Sequence, residues 1–407
     1  MSAHAIAVDL SDAQVPQNSI WKQLPAIFAL LGVAGLGLAW VTTGVDQKQF
    51  WYSYLTAFMF WLSVGLGGLF FVLVHHATRA GWSTVVRRIA ENYMVTLPLL
   101  GLLMFPIIFL GGLDQLYHVW THPGPTDIMV QAKVGFLNAD FFTIRAVGYL
   151  VVWSGLSLYL YRASRKQDTT GDPKLSHHMR RIAPIGILLF ALTLTFAAVD
   201  FMMSLDPHWY STIFGVYYFG GTFMMIAAVM ALSAMALQRS GVLKNAITHE
   251  HYHDLGKLAF AFMVFWAYIA FSQFMLIWYA NIPEETIWYH YRATGGWEVV
   301  ALVLTILHFA VPFFFLMSRH IKRRNLTLAI GAVILLVAHY VDVFWLIQPT
   351  MRQHDAVPHF SAHIADLLAF IGIGGLVLAV FSWRVSAAPV APMKDPRLME
   401  SLEFENF

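Results

Sequence analysis

Apolar residues come in ten long stretches, at approximately 24–42, 54–75, 93–113, 142–161, 182–204, 213–237, 256–281, 296–318, 326–348 and 362–383. Each is close to the ~20 helical residues needed to cross a hydrocarbon layer of ~30 Å. Charges or Pro/Gly clusters separate them, such as His122-Pro123-Gly124-Pro125 and Asp172-Pro173-Lys174. Backbone in lipid must satisfy its own hydrogen bonds, and these runs are too long for barrel strands, so the pattern predicts helices. The expected fold is an all-α integral membrane protein of about ten transmembrane helices.

Composition agrees. Hydrophobic residues make up 58% of the chain and charged residues only 12%, with mean hydropathy +0.61, whereas a soluble domain carries about 25% charged residues. Cysteine is absent, so the chain supplies no disulfide, thiolate zinc site or cysteine-ligated iron–sulfur cluster. The first 19 residues are polar, include Asp9 and Asp12, and lack a basic region ahead of an apolar run. They do not read as a signal peptide, and the first span is expected to stay as a membrane helix.

Charge then orients the spans. Of the 25 Lys and Arg residues, all but Lys48, Lys133, Arg145, Arg292 and Arg352 fall at the termini or after even-numbered spans. The positive-inside rule therefore predicts cytoplasmic termini, with 1–23 and 384–407 as cytoplasmic segments and 24–53 as the first helix and its outer loop. Trp40, Trp51, Trp120, Trp209, Trp288, Trp297 and Trp345 lie near predicted outer helix ends and read as an interfacial anchoring belt. The basic residues follow topology and form no patch suited to nucleic acid.

One internal repeat is visible. Val199-Asp200 precedes Pro207 as Val341-Asp342 precedes Pro349, an offset of 142 residues and four spans. An even number of spans makes the two units parallel. This predicts two parallel-repeat four-helix bundles, 54–204 and 213–348, flanked by the first helix and a tenth at 362–383.

Those two aspartates are the sharpest chemical features. A carboxylate at the centre of a span costs roughly 2.5–3.5 kcal/mol on insertion scales, so it faces the protein interior or water, and it reads as a protonatable group or as a packing acid. His339 lies three residues before Asp342 on one helix face and would relay protons or be satisfied by that aspartate. Thr193, two turns before Asp200, would extend a polar path. His308 sits at a depth similar to His339; such a pair suits haem ligation in principle, but one pair is a thin basis. Ser272, Gln273 and Glu298 add polar groups to the second bundle. His249-Glu250-His251-Tyr252-His253-Asp254 has metal-tract spacing, yet reads first as a solvated cytoplasmic loop and second as a proton-collecting surface. His75 and His76 read the same way, as do His177 and His178. No metal site, phosphate loop or nucleophile motif is expected.

The stretch Val199-Asp200-Phe201-Met202-Met203-Ser204-Leu205-Asp206-Pro207-His208-Trp209-Tyr210-Ser211-Thr212-Ile213-Phe214-Gly215, together with ten spans and parallel bundles, resembles the NrfD-like (polysulfide-reductase C-like) membrane subunits. Within them the chain is most similar to the ActF subunits of bacterial alternative complex III. The resemblance implies a subunit of a quinol:cytochrome c (or high-potential protein) oxidoreductase in the bacterial inner membrane. It would bind no redox centre itself. Haem c and iron–sulfur clusters would sit on multihaem cytochrome and iron–sulfur partner subunits, beside a paralogous NrfD-like subunit and the quinone pool. Proton conduction is the implied role, with quinone contact open. Two other classes compete on the residues alone. A proton-coupled secondary transporter would also bury Asp and His, but such folds favour inverted repeats and broken helices, and Pro98, Pro106 and Pro312 are the few breaks here. A site-free membrane scaffold is the other.

Overall fold

A computed structural model of the chain describes residues 10–352 and 359–406. Ten helices in it are long and apolar enough to cross a membrane: α1 Leu24–Thr43, α2 Gln47–Ala77, α3 Thr84–Phe109, α4 Ala139–Thr170, α5 Pro173–Leu205, α6 Phe214–Arg239, α7 His249–Ala280, α8 Trp297–Met317, α9 Asn325–Met351 and α10 Ile364–Ala387. No strand occurs among the described residues. The protein is an all-α, multi-pass membrane protein.

Polar residues start the helices. The side chains of Asp46, Asn138, Asp172, Thr248 and His363 accept hydrogen bonds from backbone N–H groups in the first turns of α2, α4, α5, α7 and α10, relieving donors that the helix leaves unpaired. α2 and α6 pack against each other and are buried along nearly their whole length. α3 and α5 flank α2, and α4 packs on α5; α7 and α9 flank α6, and α8 packs on α9. Lipid offers no hydrophobic drive between helices, so close approach of small residues matters. α1 meets α10 in this way: a Cβ on Gly35 would lie 2.8 Å from Gly372 N, and one on Gly375 would lie 2.6 Å from Gly32 N.

Three expectations change. The third span runs Thr84–Phe109 instead of 93–113. Its first turns carry Arg87, Arg88 and Glu91, fully enclosed and mutually paired, so charge that reads as loop lies inside the helix. The tryptophan belt is the second correction. Trp51, Trp120, Trp209, Trp288, Trp297 and Trp345 are buried inside the protein and only Trp40 is exposed. The short helix Pro283–Tyr291 carries Trp288 inward, where it stacks on Trp209 at 4.3 Å and meets Trp345 edge-on at 5.5 Å. Third, the His249–Asp254 tract is the first turn of α7, and His251 through Asp254 are buried in it.

A strap covers that tract. Residues 388–406 fold back over the end of the bundle where α7 starts and α4 ends. Arg87 Nη2 donates to Asp395 Oδ2 at 2.5 Å, Met393 N to Asp168 Oδ1 at 3.0 Å and Asn406 Nδ2 to Asp254 Oδ1 at 3.0 Å. His251 Nε2 lies 3.3 Å from Ser401 Oγ, whose proton goes to Trp82 O. Arg87 holds the Asp395 carboxyl below its ordinary range despite burial.

Candidate functional site

α9 presents His339 and Asp342 on its inner face, three residues apart. Asp342 is 2% exposed and is caged by two neighbouring helices. Tyr217 Oη of α6 donates to Asp342 Oδ1 at 2.5 Å, and Trp266 Nε1 of α7 donates to Oδ2 at 3.1 Å. Both donors are neutral, and among the described residues no Lys or Arg is ion-paired with this carboxyl.

His339 is aimed by α2 and α6. Its Nε2 lies 3.1 Å from Ser63 Oγ, and Ser63 donates its single proton to Phe60 O at 2.6 Å. With that proton committed, Nε2–H is the donor and Nδ1 is the bare nitrogen. Nδ1 has no hydrogen-bond partner and faces Asp342 Oδ2 at 3.9 Å. A contraction of about 1 Å would bring the pair to hydrogen-bond distance. Gly221 makes the approach to α6 feasible, since a Cβ there would lie 2.6 Å from His339 Cε1.

His308 completes the cluster. Its ring lies against Trp266 with centroids 3.7 Å apart and stands 6.1 Å from that of His339, and neither of its nitrogens has a hydrogen-bond partner. It sits in a π-helical turn, Thr305–Ala310, followed by Pro312. Pro312 has no N–H to give the His308 carbonyl, and such turns often mark functional positions. His308 thus packs against Trp266, and His339 packs against Phe60 with ring centroids 5.6 Å apart.

Tyr217 and Trp266 also form part of the wall of a mainly apolar cavity of about 760 Å³, with Phe271, Tyr289, Arg292 and Trp345 among its other lining residues. Exposed Tyr268, Phe271 and Leu302 mark its open side. Gln273 supports Tyr289 through Nε2 at 3.1 Å and accepts from Ser211 at 2.8 Å. Arg292 is buried at the cavity rim with no carboxylate in contact among the described residues. It donates to the carbonyls of Trp345, Trp288 and Leu346 at 3.2, 3.1 and 2.8 Å and stacks on Trp288. Burial pushes its pKa down to about 9.

Asp200 departs from the expectation of a proton-passing carboxyl. Arg145 of α4 grips it with two bonds of 2.9 Å, and Tyr149 Oη donates to it at 2.7 Å. A bidentate guanidinium plus a hydroxyl is the geometry of a strong ion pair. Thr193 is not joined to it, since its hydroxyl accepts from Trp153 at 2.8 Å and donates to Leu189 O. Ser272 is half-buried beside Gln273. Glu298 is exposed and accepts from Gly296 N at the start of α8.

The histidines read as a solvated surface are divided by the fold. His75 and His76 are buried at the end of α2, with His75 Nδ1 2.7 Å from Phe71 O. His251 caps α7 through Thr248, and His253 is buried next to it. Only His249, His177 and His178 are exposed.

Several members of these networks escaped the sequence reading. Tyr217, Trp266 and Ser63 give no signal, because aromatic and small residues are common in any span. Asp366 and Arg145 did give one: both fall inside predicted spans. Asp366 accepts from Ser53 at 2.5 Å and from Gln49 and Gln348 at 3.3 Å. No protein-family model matches the chain, and no curated protein sequence matches it.

Proposed function

We propose that the chain is a membrane subunit of a quinol:cytochrome c (or high-potential protein) oxidoreductase of the alternative complex III type, and that it carries protons from a quinone-facing cavity. The reading joins the resemblance over 199–215 to one observation. Tyr217 and Trp266 hold Asp342 on one side and line the 760 Å³ cavity on the other. Quinol oxidation releases two electrons and two protons. With no cysteine in the chain, the electrons would pass to iron–sulfur or haem centres of partner subunits. A proton has a short route: the Tyr217 hydroxyl accepts it from the quinol as it gives its own to Asp342 Oδ1, and His339 Nδ1 is the next acceptor. The apolar wall suits a prenylated ring, and the ring-lined mouth lies where a lipid-soluble substrate arrives. Both termini would be cytoplasmic, as the Lys and Arg distribution argues.

Asp342→Asn tests this in the purified complex reconstituted in liposomes. The amide keeps shape: its one oxygen can accept from Trp266 Nε1 while its NH2 donates to the Tyr217 hydroxyl oxygen, so assembly and haem content should stay normal. Quinol oxidation should fall by about 10²-fold or more, the usual loss for a missing acid–base group, with linked proton movement lost. Asp342→Leu should instead lower assembly yield, because it strands two buried donors. Normal turnover and normal proton movement in the Asn variant would overturn the reading.

A further inference from the structure

α5 carries a second, separate feature. Lys174, His177, His178 and Arg181 share an exposed face at its first turns, and Arg180 stands beside them. With Ala77 at the end of α2 and Pro184 at the base, they line a cavity of about 550 Å³. None of the five has an ion-pair partner among the described residues, although the neighbouring Arg87 and Arg88 are fully paired with acids. Basic side chains gathered at a concavity with no carboxylate among them are left wanting an anion.

The same face continues without a polar break into the membrane. Beyond Pro184 it presents Ile185, Leu188, Leu192 and Phe196, which are 59%, 67%, 58% and 45% exposed. Spacings of three and four residues keep these on one stripe. At 1.5 Å per residue, the basic part spans about 10 Å and the apolar part about 16 Å. Those are the proportions of a phospholipid headgroup and an acyl chain. A folded acidic protein would complement the cations but not the apolar run that follows them.

We propose that this face is a binding site for an anionic phospholipid, with the phosphodiester in the basic cavity and an acyl chain along the Ile185–Phe196 stripe. Basic pockets between transmembrane helices recognise anionic headgroups in this way. The site is independent of the quinone reading and of which side the termini face.

Native mass spectrometry of the detergent-purified chain tests it, with phosphatidylglycerol and phosphatidylcholine of identical acyl chains as probes. The wild type should retain one phosphatidylglycerol in preference to phosphatidylcholine. Lys174→Gln/Arg180→Gln/Arg181→Gln should weaken phosphatidylglycerol binding by roughly a hundredfold, about fivefold per cation. Leu188→Ala/Leu192→Ala should weaken both lipids while leaving the headgroup preference. Circular dichroism and elution volume check that each variant is folded. Equal retention of the two lipids, or a triple variant that binds phosphatidylglycerol normally, would overturn the proposal. So would displacement of the lipid by millimolar inorganic phosphate, which would mark a site for the free ion. A triple variant that loses a co-purifying protein but keeps its lipid would assign the face to that protein instead.

Discussion

Asp200 and Asp342 stand at repeat-equivalent places, each seven residues before a proline, and are held in opposite ways. Arg145 and Tyr149 clamp the first, whereas the second accepts hydrogen bonds from the neutral donors Tyr217 and Trp266. One is an ion pair between α4 and α5. The other is a buried carboxyl that no Lys or Arg pairs with among the described residues.

The ion pair should show itself as stability. Arg145 and Asp200 are 9% and 1% exposed at the side chain, and removing one member of a buried pair costs about 3–5 kcal/mol. Arg145→Met should therefore depress the melting temperature in detergent sharply, and Arg145→Met/Asp200→Leu should recover part of the loss. A single variant as stable as the wild type would show that the pair holds nothing together.

Gly221 should be intolerant for a reason that lies in its neighbour. A methyl at this position would sit 2.6 Å from His339 Cε1, and overpacking of this kind costs about 1–3 kcal/mol. Gly221→Ala should lower stability and disturb the imidazole. Adding His339→Ala should restore the melting temperature, because it removes the clashing ring. Additive losses in the double variant would mean that the two positions do not interact.

The strap should loosen in acid. Asp395 is held below its ordinary value of 3.8 by Arg87. A carboxyl depressed in the folded state contributes stability that is fully present above its unfolded value and is lost as pH falls through the lower folded one. Limited proteolysis of 388–406 should thus be slow at neutral pH and accelerate only below about pH 4. Asp395→Asn should be cleaved quickly at neutral pH, and equal rates for wild type and variant would count against the contact.

Topology is the simplest check on orientation. A reporter in the Pro123–Pro125 loop should be active only outside the cytoplasm, and one fused at the C-terminus only inside. Either tag reporting the opposite side would overturn the assignment drawn from Lys and Arg.

The number of spans was legible because lipid demands long apolar runs, and the two aspartates stood out because charge in such runs is rare. Partners were not legible. Arg145 falls inside the predicted span 142–161, yet nothing in the sequence pairs it with Asp200, and Tyr217 looks like any aromatic residue of a span. Arg87, Arg88 and Glu91 lower the apolar character of the third span although they neutralise one another inside it. The tryptophans misled for a related reason. Hydropathy locates indoles at helix ends, but it cannot tell whether they face lipid or turn inward, as Trp288 of Pro283–Tyr291 does.

The glycine seam between α1 and α10 joins the earliest span to the latest. α1 is otherwise largely exposed to lipid, with only 17% of its most apolar window buried, and the backbone of Gly32 and Gly35 meets that of Gly372 and Gly375. During synthesis α1 must therefore wait in the bilayer, nearly unattached, until more than 300 further residues have followed it. Closure of the seam follows the synthesis of α10, and a product stalled before that helix would leave a naked glycine groove on α1.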